Sequence, residues 1–174
     1  MFMNGRIACH AGDTSAETVA SSPATLPSRL FRLIYVSRAT APDEAQPRRE
    51  VEAIAAASTV ANARDGLTGA LAVGGGYFAQ ILEGPRGAVS RTLDRILADP
   101  RHEDIRILDF TPIAGRGFAG WGMSFVGEVD PSLLAAAVDM PEGQERRGGR
   151  RPAAIVAEAV FEALAGQLRS PQAA

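Results

Sequence analysis

The side chains able to do chemistry in this chain sit on faces that otherwise read as apolar. In "LFRLIYVSRAT" (30–40), Phe31, Leu33, Tyr35 and Ser37 alternate with Arg32, Ile34, Val36 and Arg38, the period of a β-strand. In "YFAQILEG" (77–84), Phe78, Gln80 and Leu82 share a strand face. A buried glutamine brings two donors and two acceptor lone pairs, and each group left unpaired costs about 1–3 kcal/mol. A polar partner is therefore expected opposite Gln80. On a helical stretch between these strands, Ile54, Ser58 and Asn62 are spaced i, i+4, i+8 and line one flank. If the first and third strands are neighbours, Tyr35 and Gln80 meet beneath that helix, and a phenol, two amides and a hydroxyl converge. Taken singly each has a plainer reading, a satisfied buried amide for Gln80 and a helix cap for Asn62. Four in register weaken it.

A second polar set, Arg91, Arg95 and Asp99, is again spaced i, i+4, i+8 and is followed by Arg101 and His102. On its own it reads as a solvated helix face with an i, i+4 ion pair worth about 0.2–0.5 kcal/mol. His10 and His102 make no metal site. The sequence has no P-loop, no glycine-rich dinucleotide turn after a strand and no Ser-His-Asp set.

The elements that would position these groups follow from the periods. Residues 47–63 read as a helix opening at Pro47 and ended by Gly66. "LTGALAV" (67–73), the turn Gly74-Gly75-Gly76 and residues 77–84 read as a hairpin. Residues 85–99 read as a second helix with Pro85 at its first position, and strands are expected at 105–113 and 121–126. The order β-α-β-β-α-β-β predicts an α+β, ferredoxin-like sheet with two helices on one face. Residues 1–29 are expected to form a flexible leader, 30–128 the sheet domain and 129–174 an extension with helices at about 131–140 and 152–168. The stripe Val156, Val160, Phe161, Leu164 and Leu168 needs a covering surface, either the free sheet face or another subunit.

With 174 residues, 46% hydrophobic, 22% charged and a formal net charge of −2, the chain has the composition of one globular domain with tails. Nothing in that balance selects nucleic acid or an anionic membrane. The Arg146–Arg151 cluster, offset by Glu142 and Glu145, reads as a solvated linker. One cysteine, Cys9, rules out a disulfide framework or a cysteine-rich zinc site. Without an apolar run of about 18–20 residues or a signal-peptide core, the expected location is the cytoplasm.

The runs "LIYVSRAT", "NARDGLTGAL", "GYFAQILEGP", "ILADPRHEDIRIL" and "WGMSFV" resemble, in order and spacing, the BLUF family of flavin-based blue-light sensors. The resemblance covers about residues 30–128 and implies a ferredoxin-like sheet with the flavin held between its two helices. It implies FAD as cofactor, with FMN or riboflavin as substitutes. Tyr35 matches the tyrosine that gives an electron and a proton to the excited flavin, and Gln80 the glutamine bonded between that tyrosine and the ring. Asn62 matches the asparagine on the ring's polar edge. Ile54 and Ser58 fall on flavin-lining positions, and Arg95 and Asp99 on positions contacting the ring or its phosphoribityl side. Trp121 and Met123 match the last-strand pair that exchange places near the glutamine. Ala61 stands where the family often has a second asparagine, and Ala79 where a bulkier aliphatic is common. The phenol, protonated at neutral pH, releases its proton only together with an electron. Residues 129–174 offer only two helices, so no enzymatic output domain is expected; the signal is expected to leave through those helices to a protein partner, or through a changed homo-oligomer, and composition and hydropathy give no reason to expect a membrane or nucleic acid. Two other readings remain at this point: a chromophore-free ferredoxin-like interaction module, and a flavin oxidoreductase.

Overall fold

The computed structural model describes residues 29–40, 48–141 and 152–169, with the backbone alone described at 48–52, 54 and 169. The expected leader, the Pro47 helix start and the arginine-rich linker lie outside the described residues. The elements are β1 (Leu30–Ala39), α1 (Arg48–Asp65), β2 (Thr68–Gly74), β3 (Tyr77–Pro85), α2 (Arg86–Leu97), β4 (His102–Ile113), β5 (Ser124–Glu128), α3 (Pro131–Val138) and α4 (Pro152–Arg169). The five strands form one sheet in the order β4-β1-β3-β2-β5. β3 lies antiparallel between β1 and β2, and β5 adds parallel to β2. This is the split βαβ arrangement, and it makes β1 and β3 neighbours.

Local chemistry explains most boundaries. α1 ends in a Schellman motif: Gly66 takes φ 68°, its N–H reaches the Ala63 carbonyl at 3.2 Å, and the Leu67 N–H reaches that of Asn62 at 2.7 Å. The hairpin turn uses only Gly75 and Gly76, at φ 57° and 83°. Two successive positive values are what a type I′ turn requires, whose twist matches that of the flanking strands. Gly74 stays in the ladder, where a Cβ would come within 2.3 Å of the Val129 carbonyl oxygen. Pro85 closes β3 and caps α2 from outside instead of opening it. Asp130 caps α3, its carboxylate accepting the Ser132 N–H at 2.9 Å, with Pro131 at the first helical position.

Two strands depart from expectation. β4 starts at His102, three residues early, because His102 and Glu103 pair with Ala39 and Arg38 across a register shift, next to Asp104 at φ 50°. β5 starts at Ser124, so Trp121 and Met123 precede it. The carbonyls of Gly122 and Met123 accept from the α1 side chains Asn62 and Thr59, at 3.3 and 3.0 Å. α1 thus occupies groups that would otherwise extend the ladder.

The alternation of β1 and β3 divides the core in two. Leu33, Tyr35, Phe78 and Leu82 face α1 and α2, packing with Ala55, Ala88 and Val89. Ile34, Val36, Ala79 and Ile81 face the other way, into a core with Leu134 and Ala137 of α3 and Val160 and Leu164 of α4. The α4 stripe is therefore covered by the second face of the sheet, and Ala79 is fully buried beneath it. Among the described residues no helix is long and apolar enough to cross a membrane. Because Leu164 has no exposed surface, Leu164→Ala is expected to lower unfolding free energy by about 2–5 kcal/mol in chemical denaturation. A loss under about 1 kcal/mol would contradict the docking of α4.

Candidate functional site

The register places Tyr35 directly across from Gln80, with Leu71 on its other side. The Tyr35 hydroxyl donates to Gln80 Oε1 at 2.5 Å. That contact turns the amide nitrogen the other way, and Gln80 Nε2 donates to Met123 Sδ at 3.4 Å, a weak acceptor. The glutamine is thus held firmly at its oxygen and loosely at its nitrogen. Tyr35 is 1% exposed. Burial pushes its phenol well above the ordinary value, and the Asp99 carboxylate adds to the rise. The phenol is a neutral donor at any physiological pH.

α1 closes one side. Asn62 is buried, its Nδ2 donating to the Gly122 carbonyl oxygen at 3.3 Å, and Ser58 is half-buried one turn earlier. Ile54 lies on the same helix, its side chain outside the described residues. α2 closes the other side with Thr92 and Ile96. Between the helices runs a cleft with an inner lobe of about 100 Å³ against the sheet and an outer lobe of about 500 Å³ toward solvent. Ser58, Asn62, Thr92, Ile96, Asp99 and Arg101 line both lobes, which makes them one passage. Tyr35, Gln80, Leu71 and Phe78 form its floor.

The charges at the cleft are paired differently from the ion pair expected within one helix. Arg95 donates across the mouth to Asp65 Oδ2 at 3.2 Å and to Thr92 Oγ1 at 2.7 Å. Asp99 lies beyond the end of α2 and pairs with Arg101, whose backbone N–H also donates to it at 3.0 Å. The Arg101 bonds hold the Asp99 carboxyl down at about 2, against a smaller opposing effect of burial. Asp99 is therefore ionised at neutral pH, within reach of the Tyr35 phenol's field.

Sequence reasoning missed Thr92, Phe78 as a lining group, and His102. His102 stands at the cleft wall with its ring 4.8 Å from Phe78 and 6.3 Å from Tyr35 between centroids, and Nδ1 2.9 Å from Ser37 Oγ. Burial lowers its pKa, partly opposed by Asp99. The signal available was Ser37, a hydroxyl on the same face as Tyr35 that needed a partner. Trp121 and Met123 separate: Met123 is buried against Gln80, whereas Trp121 is 44% exposed and meets the sheet through its carbonyl oxygen, which accepts the Gly69 N–H at 2.9 Å.

Chemically, the cleft offers amides and hydroxyls at its base, apolar walls from Leu71, Phe78 and Ile96, and guanidinium groups at its mouth. That set suits a flat ligand with a hydrogen-bonding edge and an anionic tail. A family model described as BLUF, sensors of blue-light using FAD, matches residues 30–124, more than half of the chain. Photoactivated adenylate cyclase subunit beta of Euglena gracilis is 34% identical over 104 residues, 60% of this chain and 12% of that protein. The subunit beta of Euglena longa is 37% identical over 105 residues, with the same coverage of 60% and 12%. The chain therefore spans only a small part of these curated relatives. The dark-state structure of BlrB, a BLUF protein, is similar with 37% identity and a TM-score of 0.56, covering 66% of this chain and 89% of that one. A bacterial light-regulated adenylyl cyclase follows at 33% identity and TM-score 0.53, covering 56% of this chain and 28% of that one. The photo-activated state of BlsA shares the fold at TM-score 0.59 over 83% of this chain and 99% of that one, with 22% identity.

Because the folded phenol titrates above its ordinary value of 10.0, unfolding releases a proton above that pH. The contribution of Tyr35 to stability is thus full below about pH 10 and lost as pH rises beyond it. Tyr35→Phe is expected to cost about 1–3 kcal/mol at pH 7, by leaving Gln80 Oε1 unpaired, and to flatten the alkaline fall. Denaturation curves from pH 7 to 11 check both; parallel alkaline slopes in the two proteins would contradict the burial of the phenol.

Proposed function

Since the chain belongs to the BLUF family of sensors of blue light using FAD, we propose that the cleft between α1 and α2 holds a flavin and that this chain is a blue-light receptor. The observation that carries the reading is the Tyr35–Gln80 bond at the floor of that cleft, with a weak sulfur contact on the amide's other side. The site fits the group. Asn62 and Gln80 offer amides to the ring's polar edge, Ser58, Thr92 and Ile96 line its flanks, and Ile54 stands on the same helix as Ser58 and Asn62. Arg95 and Arg101 at the mouth favour a form that carries phosphate, FAD or FMN, over riboflavin; from the family description FAD is the proposed cofactor, with FMN and riboflavin as substitutes.

When bound, the flavin supplies light absorption and, once excited, a strong oxidant. Tyr35 gives up an electron and, from its hydroxyl, a proton. Because burial and the Asp99 carboxylate disfavour the phenolate, the proton would not leave ahead of the electron; once the electron has gone, it would pass along the bond already made to Gln80 Oε1 toward the reduced flavin. Return of both restores the phenol. Gln80 does not have to return with it: the protein holds its nitrogen through the weak acceptor Met123 Sδ, so a turned or tautomerised amide that bonds the flavin is the proposed second arrangement. The switch is a change of hydrogen-bond partners at one side chain.

Met123 then passes the change toward β5, with Trp121 two residues before it. Residues 30–128 form the sensing part in this reading, and α3 and α4, packed on the opposite sheet face, are the route to a protein partner or to a second copy of the chain. The relatives named as cyclases carry their output within much longer chains. This chain is proposed to act in the cytoplasm through a partner, with no catalytic step of its own.

Purified protein loaded with FAD is expected to show a reversible red shift of its flavin absorption under blue light. Gln80→Leu should abolish the shift while keeping the flavin. Asn62→Ala is expected to weaken FAD binding about tenfold, the worth of one lost hydrogen bond or slightly more. Colourless protein that takes up no FAD, or a normal shift in Gln80→Leu, would overturn the assignment.

A further inference from the structure

Glu83 is a carboxylate with no exposed surface, three residues beyond Gln80 on β3 and therefore on the opposite sheet face. A buried charge persists only where paired and hydrogen-bonded. Arg32 holds Glu83 Oε1 through Nε at 2.8 Å and Nη2 at 2.7 Å, and Glu83 Oε2 accepts the backbone N–H of Phe118 at 3.0 Å. The Arg32 guanidinium lies 4.1 Å from the ring centre of Phe161 on α4, and Phe161 meets Phe118 edge-on at 5.3 Å. Gly117 leaves room for this stack, since a Cβ there would stand 2.8 Å from Phe161 Cζ. Arg116 adds bonds to the carbonyl oxygens of Glu83 and Gly66, at 2.5 and 2.7 Å.

The same short segment is held at its other end inside the cleft. The Gly122 and Met123 carbonyls accept from Asn62 and Thr59, and Met123 Sδ accepts from Gln80. Phe118 belongs to the core under α4 and Met123 to the core under α1 and α2, so five residues carry the chain from one face of the sheet to the other. A span of five residues reaches at most about 18 Å, so one pinned end restricts the other.

We propose that Glu83 is a positioning residue of the light switch: by fixing Phe118 on the α4 face it sets where Met123 stands against Gln80, and it ties that position to Arg32 and Phe161. This rests on the photoreceptor reading above. Glu83 lines neither lobe of the cleft; it acts through the backbone of 118–123.

The test uses the full chain loaded with FAD. Glu83→Gln keeps the side chain's shape and weakens its hold on Arg32. The expected result is FAD affinity within about twofold of wild type, with recovery from the red-shifted state after blue light at least about threefold faster. A purely structural role would lower affinity and melting temperature together without speeding recovery. Unchanged recovery in Glu83→Gln beside a normally switching wild type overturns this inference alone. A wild type without any red shift overturns the photoreceptor reading as well. If Glu83→Gln does not fold, Arg32→Lys, which keeps the charge and loses the two-point grip, must show faster recovery at unchanged affinity, and a wild-type rate there overturns the inference.

Discussion

The structure depends on one constraint: a phenol and an amide are buried face to face in the middle of an apolar sheet, and each must be satisfied. Tyr35 is satisfied by Gln80 Oε1, and that bond aligns the glutamine. The nitrogen end is left with a thioether. A donor bound to so weak an acceptor is loosely held, at the floor of an open cleft, while the strands that carry the pair are buried. On the proposed reading, that asymmetry is what lets a single side chain exchange partners while the sheet stays in place.

The fold supplies the asymmetry through its topology. Because β3 is inserted antiparallel between β1 and β2, the residues opposite one another on β1 and β3 are fixed by register, and α1 and α2 are brought over the same face. Their separation leaves the cleft, and its base is where the two polar groups lie. α3 and α4 cover the other face, which turns the sheet into a partition between a ligand-sized opening and a closed core. The segment 116–123 passes from one compartment to the other, held on each side by buried polar groups.

Much of this was legible in the sequence, and the limits have physical causes. Period-two alternation reveals Gln80 as a misfit and Tyr35 as its neighbour once β1 and β3 are adjacent, and period 3.6 places Ser58 and Asn62 above them. Gly66 announces the end of α1 because a Schellman cap requires a positive φ. The start of β5 was not legible, since Asn62 and Thr59, some 60 residues earlier, take the carbonyls involved. His102 enters the cleft because β4 lengthens to pair with Ala39, a choice made between strands and not within one. The partner of Asp99 is Arg101 and not Arg95, because α2 ends at Leu97 and the helical spacing no longer applies. Glu83 is a misfit on the second face by the same alternation that marks Gln80, but its partners come from β1 and from the chain after β4, and only the folded sheet brings them together.

The central claim is that the Gln80 amide changes hydrogen-bond partners when the chain is lit. Light-minus-dark infrared difference spectra of FAD-loaded protein, with glutamine labelled by 13C at the side-chain carbonyl, measure this directly. The account predicts a label-sensitive carbonyl band that shifts on illumination and returns with the flavin absorption. A difference spectrum in which no band responds to the label, beside a normal red shift of the flavin, would contradict it.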